Sequence, residues 1–415
     1  MARISQLQGS ERFLWVLFVA SVIATYNWYT IREYRAQRLA DSLDQSAIEK
    51  AVRLQPKNAT YHDLLCRSMI FVTREPTQAI DECRKAAALN PYSSSYWLDL
   101  AQAYLSAGNR LQYLDAIHNA IVVDPTTPDT AWNAANFLLI QGDVPNALKE
   151  FGVALRGDPT LATPVLNICW QTLHDTVPIQ KILPPNPDIY LTFINLLLSN
   201  GEPTAAHQIW TSLIQLNQPF DYRHALLYVD SLLQSRNIDE ASDVWKQVVS
   251  RSTELRGYSR PGDLIEDGSF SHEILNSGFA WHYTPRPNIL AILDANEFHS
   301  DGRSLLLTYS DTGGDAGIFQ YIAVQPDTRY RLVAWVKSQD LSTANGPRIA
   351  LSDAFDNKVY LATDETTGTT DWHRLESLFQ TGPQTKLLIL TILRSPAETR
   401  IQGQFWLDDI SLQAM

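Results

Sequence analysis

Cysteine is scarce in this chain. Three occur in 415 residues, Cys66, Cys83 and Cys169, and none stands in a CxxC or other zinc-binding spacing. All three fall in a helical-looking half, where core packing is the expected role and a Cys66–Cys83 disulfide the less favoured alternative. Basic residues are also short, 33 Lys and Arg against 45 Asp and Glu for a net charge of −12. A general nucleic-acid binder needs the opposite balance to displace counterions, so nucleic acid is excluded as a partner. His272, His282, His299 and His373 show no HxH or HExxH spacing, which argues against a catalytic zinc. The glycine-rich DTGGDAG (311–317) leads into a strand pattern rather than a helix, so it lacks the helix N-terminus a phosphate cradle requires. A nucleophile elbow is missing too. Asp294, Glu297, Asp301, Asp353 and Asp356 could supply paired carboxylates, yet no motif assigns an acid or a base. The chain is read as non-enzymatic.

Long apolar runs are rare as well, and the single one is informative. Between Arg12 and Arg32 stands FLWVLFVASVIATYNWYTI, nineteen residues without a charge. As a helix it would span roughly the ~30 Å hydrocarbon core of a bilayer. Tyr26, Trp28 and Tyr29 gather at one end, as interfacial aromatics do. The competing reading is a signal peptide with Arg3 and Arg12 as its basic region and a cut after Ala24. The uncleaved anchor is preferred because the run continues past that cut. Arg32, Arg35 and Arg38 follow the span and only Arg3 and Arg12 precede it, a count that favours a cytoplasmic C-terminal side.

Prolines at 56, 91, 125 and 159 recur every 34 or 35 residues and close similar phrases: KAVRLQP, KAAALNP, NAIVVDP and VALRGDP. Before Pro125, Trp97, Leu100, Ala101, Tyr104, Gly108, Ile117 and Ala120 stand at offsets matched in the next repeat by Ala131, Ala134, Ala135, Leu138, Gly142, Phe151 and Ala154. Small residues let two helices approach, and the proline stops the second. The pattern resembles the tetratricopeptide repeat, a helix–turn–helix unit that buries its faces only by stacking. Two degenerate units follow an irregular, proline-bearing stretch, and a half-repeat opens the array at about Arg35. The resemblance implies a groove for a protein partner, with Arg67, Arg84, Asn136 and Asn167 as candidates or, more plainly, as solvated faces.

Helical periodicity stops at RGYSRPGD (256–263). Beyond it lie short alternating stretches: SLLLTYS, IFQYIAV, YRLVAWVK, RIALSD, HRLESLFQ, KLLILTILR and QFWLDDISL. On YRLVAWVK, Trp335 shares a face with Arg331 and Lys337, an apolar platform with polar rims that suits a sugar. On the neighbouring strand Gln320 alternates with Phe319 and Tyr321. FAWHYTP reads as a loop presenting Trp281, His282 and Tyr283. The order LIEDGSF, HSDGRSLLLTY, FQYIAVQPDTRYRLVAWVKS, DWHRLESLFQ and FWLDDISL resembles the jelly-roll carbohydrate-binding modules of galactose-binding-like type, across 264–415. That resemblance implies a glycan ligand, with Trp335, Arg331, Tyr321, Gln320, Trp281 and Tyr283 as contacts, and a core role for Trp372. It also implies a structural calcium, to which Asp408, Asp267, Gly268, Asp294 and Glu297 would supply oxygens. Ser271 stands where such modules often carry an acid, which leaves backbone N–H groups as the other partner for Asp408. If Ile410 and Leu412 face the core, strand parity puts Asp408 on that side too.

The combined expectation is a multidomain chain: a tail at 1–12, a transmembrane anchor at 13–31, an all-α tetratricopeptide-type solenoid at 35–255, a linker at 256–263 and an all-β jelly-roll sandwich at 264–415. Sugar-binding jelly rolls act mostly outside the cytoplasm, and long translocated domains follow the charge rule loosely. The chain is accordingly placed outside the cytoplasm, in the periplasm of a bacterial-type envelope. There it would join in making, exporting or anchoring a surface polysaccharide. The alternative is an assembly scaffold, envelope or cytoplasm-facing, whose β domain is a protein-interaction module or a structural cap on the array.

Overall fold

The structure, a computed structural model, describes residues 9–300 and 302–415. Arg3 and Asp301 lie outside them. The chain divides into two compact units, one ending at Pro185 and one running Asn186–Met415.

The first unit opens with α1 (Gly9–Ala40), whose apolar stretch is fully exposed and is long and apolar enough to be a membrane span or a signal sequence. The helix does not stop where that stretch does. Its last turns place Ala36 and Ala40 in a small core with Ala51 of α2 (Gln45–Leu54) and Tyr61 of α3 (Ala59–Ser68). The apolar segment therefore runs without a break into the packed array. Then come α4 (Pro76–Leu89), α5 (Ser94–Ser106), α6 (Arg110–Val123), α7 (Pro128–Ile140), α8 (Val144–Gly157), α9 (Ala162–Leu173) and the short α10 (Thr176–Gln180). The starts of α5 and α7, and of α6 and α8, are 34 residues apart, so the period of the prolines is the period of the hairpins. Each turn uses a residue in the left-handed region, Gly108 (φ +76°) and Gly142 (φ +79°), where a Cβ would be strained. Ala86, Ala120 and Ala154 on the second helices, with Ala101 and Ala135 on the first, are completely buried. Close approach thus rests on the small residues the repeat pattern singled out.

The cysteine expectation needs correction. Cys66 on α3 and Cys83 on α4 form a disulfide with Cα atoms 5.2 Å apart, inside the usual range. The antiparallel hairpin brings two buried positions face to face, which sequence spacing does not reveal. Cys169 is free and buried, and burial pushes its thiol up to about 12.

The second unit holds two hairpins, α11 (Pro187–Ser199) with α12 (Pro203–Gln215) and α13 (Leu226–Gln234) with α14 (Ile238–Arg251), followed by ten strands. These are β1 (Trp281–Tyr283), β2 (Ile289–Asp294), β3 (Ser304–Tyr309), β4 (Asp315–Ala323), β5 (Arg329–Ser342), β6 (Arg348–Asp353), β7 (Val359–Ala362), β8 (Gly368–Gln380), β9 (Leu387–Leu393) and β10 (Gln402–Ala414). They form two antiparallel five-stranded sheets, β1-β4-β9-β6-β7 and β2-β3-β10-β5-β8. Alternate residues of both, among them Leu307, Val336, Leu390, Ile392 and Leu407, meet in one core. All seven expected strands are present; β1, β2 and β7 are additional, β1 lying within the stretch read as a loop.

The segment read as a linker is packed. Tyr258 is buried against Trp245 of α14 (6.0 Å between ring centroids) and its carbonyl accepts from Asp267 N at 2.7 Å. Asp230 of α13 accepts from Ser277 Oγ at 2.7 Å and from Gly278 N at 2.6 Å. The last helical hairpin and the sandwich share one compact unit.

Candidate functional site on the β-sandwich

The outer face of the second sheet carries three tryptophans, and all three are engaged. Trp335 is half-buried, stacked on His299 with ring centroids 3.9 Å apart and planes 15° from parallel. Trp372 donates from Nε1 to Glu297 at 3.1 Å, and Trp406 donates from Nε1 to Asp294 at 2.9 Å. Lys337 pairs with Glu297 at 2.9 Å. The segment after β2 thus lies over this face, and His299 occupies the stacking position a sugar ring would take on Trp335. Arg331, on the same face, donates to Gln413 at 3.2 Å. Trp372 is pinned on this outer face rather than placed in the core.

Asp408 shares that face, against the parity expected from Ile410 and Leu412. Its register partner is Trp335, while Ser411 already pairs with Val333. One extra residue, Asp409 at φ +44°, forms a bulge between them and flips the side-chain alternation. Phe405 and Leu407 before the bulge and Ile410 and Leu412 after it all face the core, whereas Asp408 points out under the covering segment. It is completely buried there and accepts from the backbone N–H groups of His299 (2.8 Å), Ser300 (3.0 Å) and Asp409 (2.7 Å). Burial outweighs these bonds and pushes its carboxyl up to about 6. Asp409 holds the same segment, accepting from Ser300 Oγ and His299 Nδ1, both at 2.7 Å.

The residues named for a calcium have partners inside the chain. Asp267 accepts from the amides of Ser271 and His272 and from the Ser271 hydroxyl. Asp294 accepts from Trp406 and Asn296, and Glu297 from Trp372 and Lys337. The Gly268 carbonyl accepts from Ile410 N at 2.9 Å, and a Cβ at Gly268 would lie 2.0 Å from the Ile410 carbonyl oxygen. The opening segment does lie beside the closing strand, as the sequence suggested. Among the described residues, however, no three His, Cys, Asp or Glu side chains form a set that could hold a metal ion.

Two of the glycan candidates belong to the interior. Trp281 is 1% exposed, stacked on Phe270 and hydrogen-bonded through Nε1 to the Asp267 carbonyl at 3.1 Å. Gln320 is fully buried and ties β4 to the opening segment, accepting from Glu266 N and donating to Glu266 O. Neither presents a face to solvent, because β4 alternation turns Gln320 inward as it turns Phe319 and Tyr321 outward. Tyr283 is half-buried and packs against the core.

Tyr321 stands elsewhere, on the outer face of the first sheet. There His282 and Phe319 lie opposite each other in register and parallel, 4.6 Å and 9° apart. Tyr321 meets both edge-on, at 5.6 and 5.4 Å. All three are half-buried. Burial pushes His282 below its ordinary range and Tyr321 above its own, so both are neutral at pH 7. In register beside them run Ile389 and Thr391 of β9, then Ala350 and Ser352 of β6. This is a neutral strip of aromatic rings, hydroxyls and small side chains. Sequence placed His282 in a stretch suited to stacking and Phe319 on a strand face shared with Tyr321, without including either among the glycan contacts; the alternation of FQYIA was the signal that pairs Phe319 with Tyr321.

Residues 262–398 match the family model described as a carbohydrate binding domain. No curated protein matches the chain. Among solved structures, one described as "CBM4 structure and function" is similar at 16% identity and a TM-score of 0.29, covering 36% of this chain and 99% of that one. The CBM22-1–GH10 modules of Clostridium thermocellum endo-1,4-β-D-xylanase 10B, complexed with xylohexaose, are similar at 12% identity and a TM-score of 0.28, over 37% of this chain and 29% of that one. A crystal structure of MamA is similar at 14% identity and a TM-score of 0.27, over 42% of this chain and 86% of that one.

Proposed function

We propose that this chain is a non-catalytic, membrane-anchored binding protein that holds a glycan on the first-sheet face of its sandwich. Its tetratricopeptide-type hairpins would engage a protein partner of the cell envelope, in the making, export or anchoring of a surface polysaccharide. The half-open trio His282–Phe319–Tyr321, within a segment matching a carbohydrate-binding family, is the observation that carries the reading. Neutral aromatic faces flanked by hydroxyls offer a sugar an apolar platform and hydrogen-bonding rims. The Cys66–Cys83 disulfide supports an extracytoplasmic location, since such bonds persist in oxidising compartments.

Affinity electrophoresis of the full chain through gels containing different polysaccharides tests the site. Phe319→Ala with Tyr321→Ala is expected to weaken retardation at least tenfold, and Trp335→Ala to leave it unchanged. Loss in Trp335→Ala alone would move the site to the second sheet. No retardation by any polysaccharide would favour the second reading, a sandwich that caps the helical hairpins. The packing of α13 and α14 against it is the observation behind that reading. A reporter fused after Met415 decides the compartment; activity only in the cytoplasm would remove the envelope role.

A further inference from the structure

The exposed apolar stretch of α1 gives way to the packed array at Arg32, and a cleft lies at that junction. One wall is a single face of α1, where Tyr29, Arg32 and Glu33 stand three and four residues apart and so side by side. The other wall is the turn between α2 and α3, residues 55–58, with Lys57 exposed and Asn58 capping α3. The cleft is open to solvent and holds about 760 Å³, within the ~300–1,000 Å³ typical of small-ligand sites.

Arg32 joins the two walls. Its Nε donates to the Leu54 carbonyl, and its guanidinium lies 5.2 Å from the centroid of the Trp28 ring. Its two terminal nitrogens keep their protons to give. One turn further on, Ala36 is completely buried with Tyr61, which ties α3 to α1. The Asn58 side chain is already spent on the Thr60 amide at 3.0 Å. Among the described residues, none of Arg32, Lys57 and Glu33 has an ion-pair partner. The cleft thus offers two unpaired cations and one unpaired carboxylate beside a tyrosine ring.

Its height along α1 narrows the choice of occupant. Arg32 is the first residue past the apolar run, and the rise from it to Ala36 is about 6 Å. With the run across a bilayer, that interval falls in the headgroup layer, roughly 5–8 Å thick on each side. A phosphate there suits the Arg32 fork and the Lys57 ammonium. Glu33 calls for a donor of positive charge, which a primary ammonium supplies. A choline headgroup has no N–H to give, and a glycerol headgroup has no positive charge.

We infer that this cleft holds a phosphoethanolamine headgroup, its phosphate on Arg32 and Lys57 and its ammonium on Glu33. The inference rests on the reading of α1 as a membrane anchor and is independent of the glycan site.

Vesicle flotation of the full chain tests the anchor first: failure to float with phosphatidylcholine vesicles would sink that reading and this inference with it. Native mass spectrometry then reads the cleft, on the full chain released from vesicles that mix phosphatidylcholine, phosphatidylethanolamine and phosphatidylglycerol. Retained phosphatidylethanolamine is expected at several-fold its share of the mixture. Lys57→Gln changes an exposed side chain with no partner in the fold and should lower that retention three- to tenfold; Arg32→Gln should lower it further. Glu33→Gln should erase the preference over phosphatidylglycerol. Arg38→Gln, exposed and outside the cleft, should change nothing. A chain that floats but retains the lipids in proportion to the mixture, or enriches phosphatidylglycerol instead, would overturn the inference and leave α1 as an anchor alone. Retention unchanged in both Lys57→Gln and Arg32→Gln would overturn it equally.

Discussion

In the helical unit Asp63 of α3 lies buried near Asp99 of α5, with Arg67 close to both. In the sandwich Asp408 is buried as deeply but receives three backbone N–H groups. The first arrangement disfavours the ionised form; burial, joined by the Asp99 charge, pushes Asp63 up to about 8. The second suits the ionised form, and Asp408 rises only to about 6. Two interiors of comparable dryness therefore treat the same side chain differently, because adjacent helices offer only one another's side chains while a bulge and a loop offer free amides.

That contrast can be tested in descending order of effect. Phe151, completely buried on α8, fills a repeat core, and Phe151→Ala should cost about 3–5 kcal/mol. In a stacked array such a loss is felt chiefly by neighbouring hairpins, so chemical denaturation should show the helical signal melting early while the sandwich transition stays. Asp408→Ala acts the other way. It strands three amides beneath the covering segment next to β10, a central strand of its sheet, and should lower the sandwich transition by ~1–3 kcal/mol. An equal loss in both transitions would erase the distinction between the two units.

The pH dependence sharpens the comparison further. Both carboxyls bind their proton more tightly folded than unfolded, so each contributes less stability as pH rises above the ordinary 3.8. The decline due to Asp408 should be complete near pH 6, and that due to Asp63 should continue to about pH 8. Between pH 6 and 8 only the helical transition should fall, and Asp63→Asn should flatten it; a slope that persists in that variant would disprove the role given to Asp63. The smallest expected effect is that of a chelator. With Asp267, Asp294, Glu297 and Asp408 each hydrogen-bonded inside the chain, EDTA should not move the sandwich melting temperature, and a downward shift would restore the calcium.

The repeat was legible because its information is local. Prolines at a fixed spacing and alanines at matched offsets describe a hairpin whose contacts lie within about one repeat. The seven strands were legible through alternation for the same reason. The site was much less so. Trp335 looked open because nothing near it in sequence reveals His299, and Gln320 looked like a rim residue because its partner Glu266 is 54 positions away. Cys66 and Cys83 are only 17 positions apart, yet their pairing required knowing how α3 turns against α4.

Sequence alone determined the apolar N-terminal segment, the hairpin period and its prolines, the change from helix to strand near residue 256, and the negative net charge. The tertiary structure decided which aromatics are free, where Asp408 points and how it is satisfied, and that the last hairpin packs into one unit with the sandwich. The physical reason is that periodicity assigns a residue to a face, but a single bulge reverses that assignment. Whether a face meets water depends on chain that is close in space and distant in sequence.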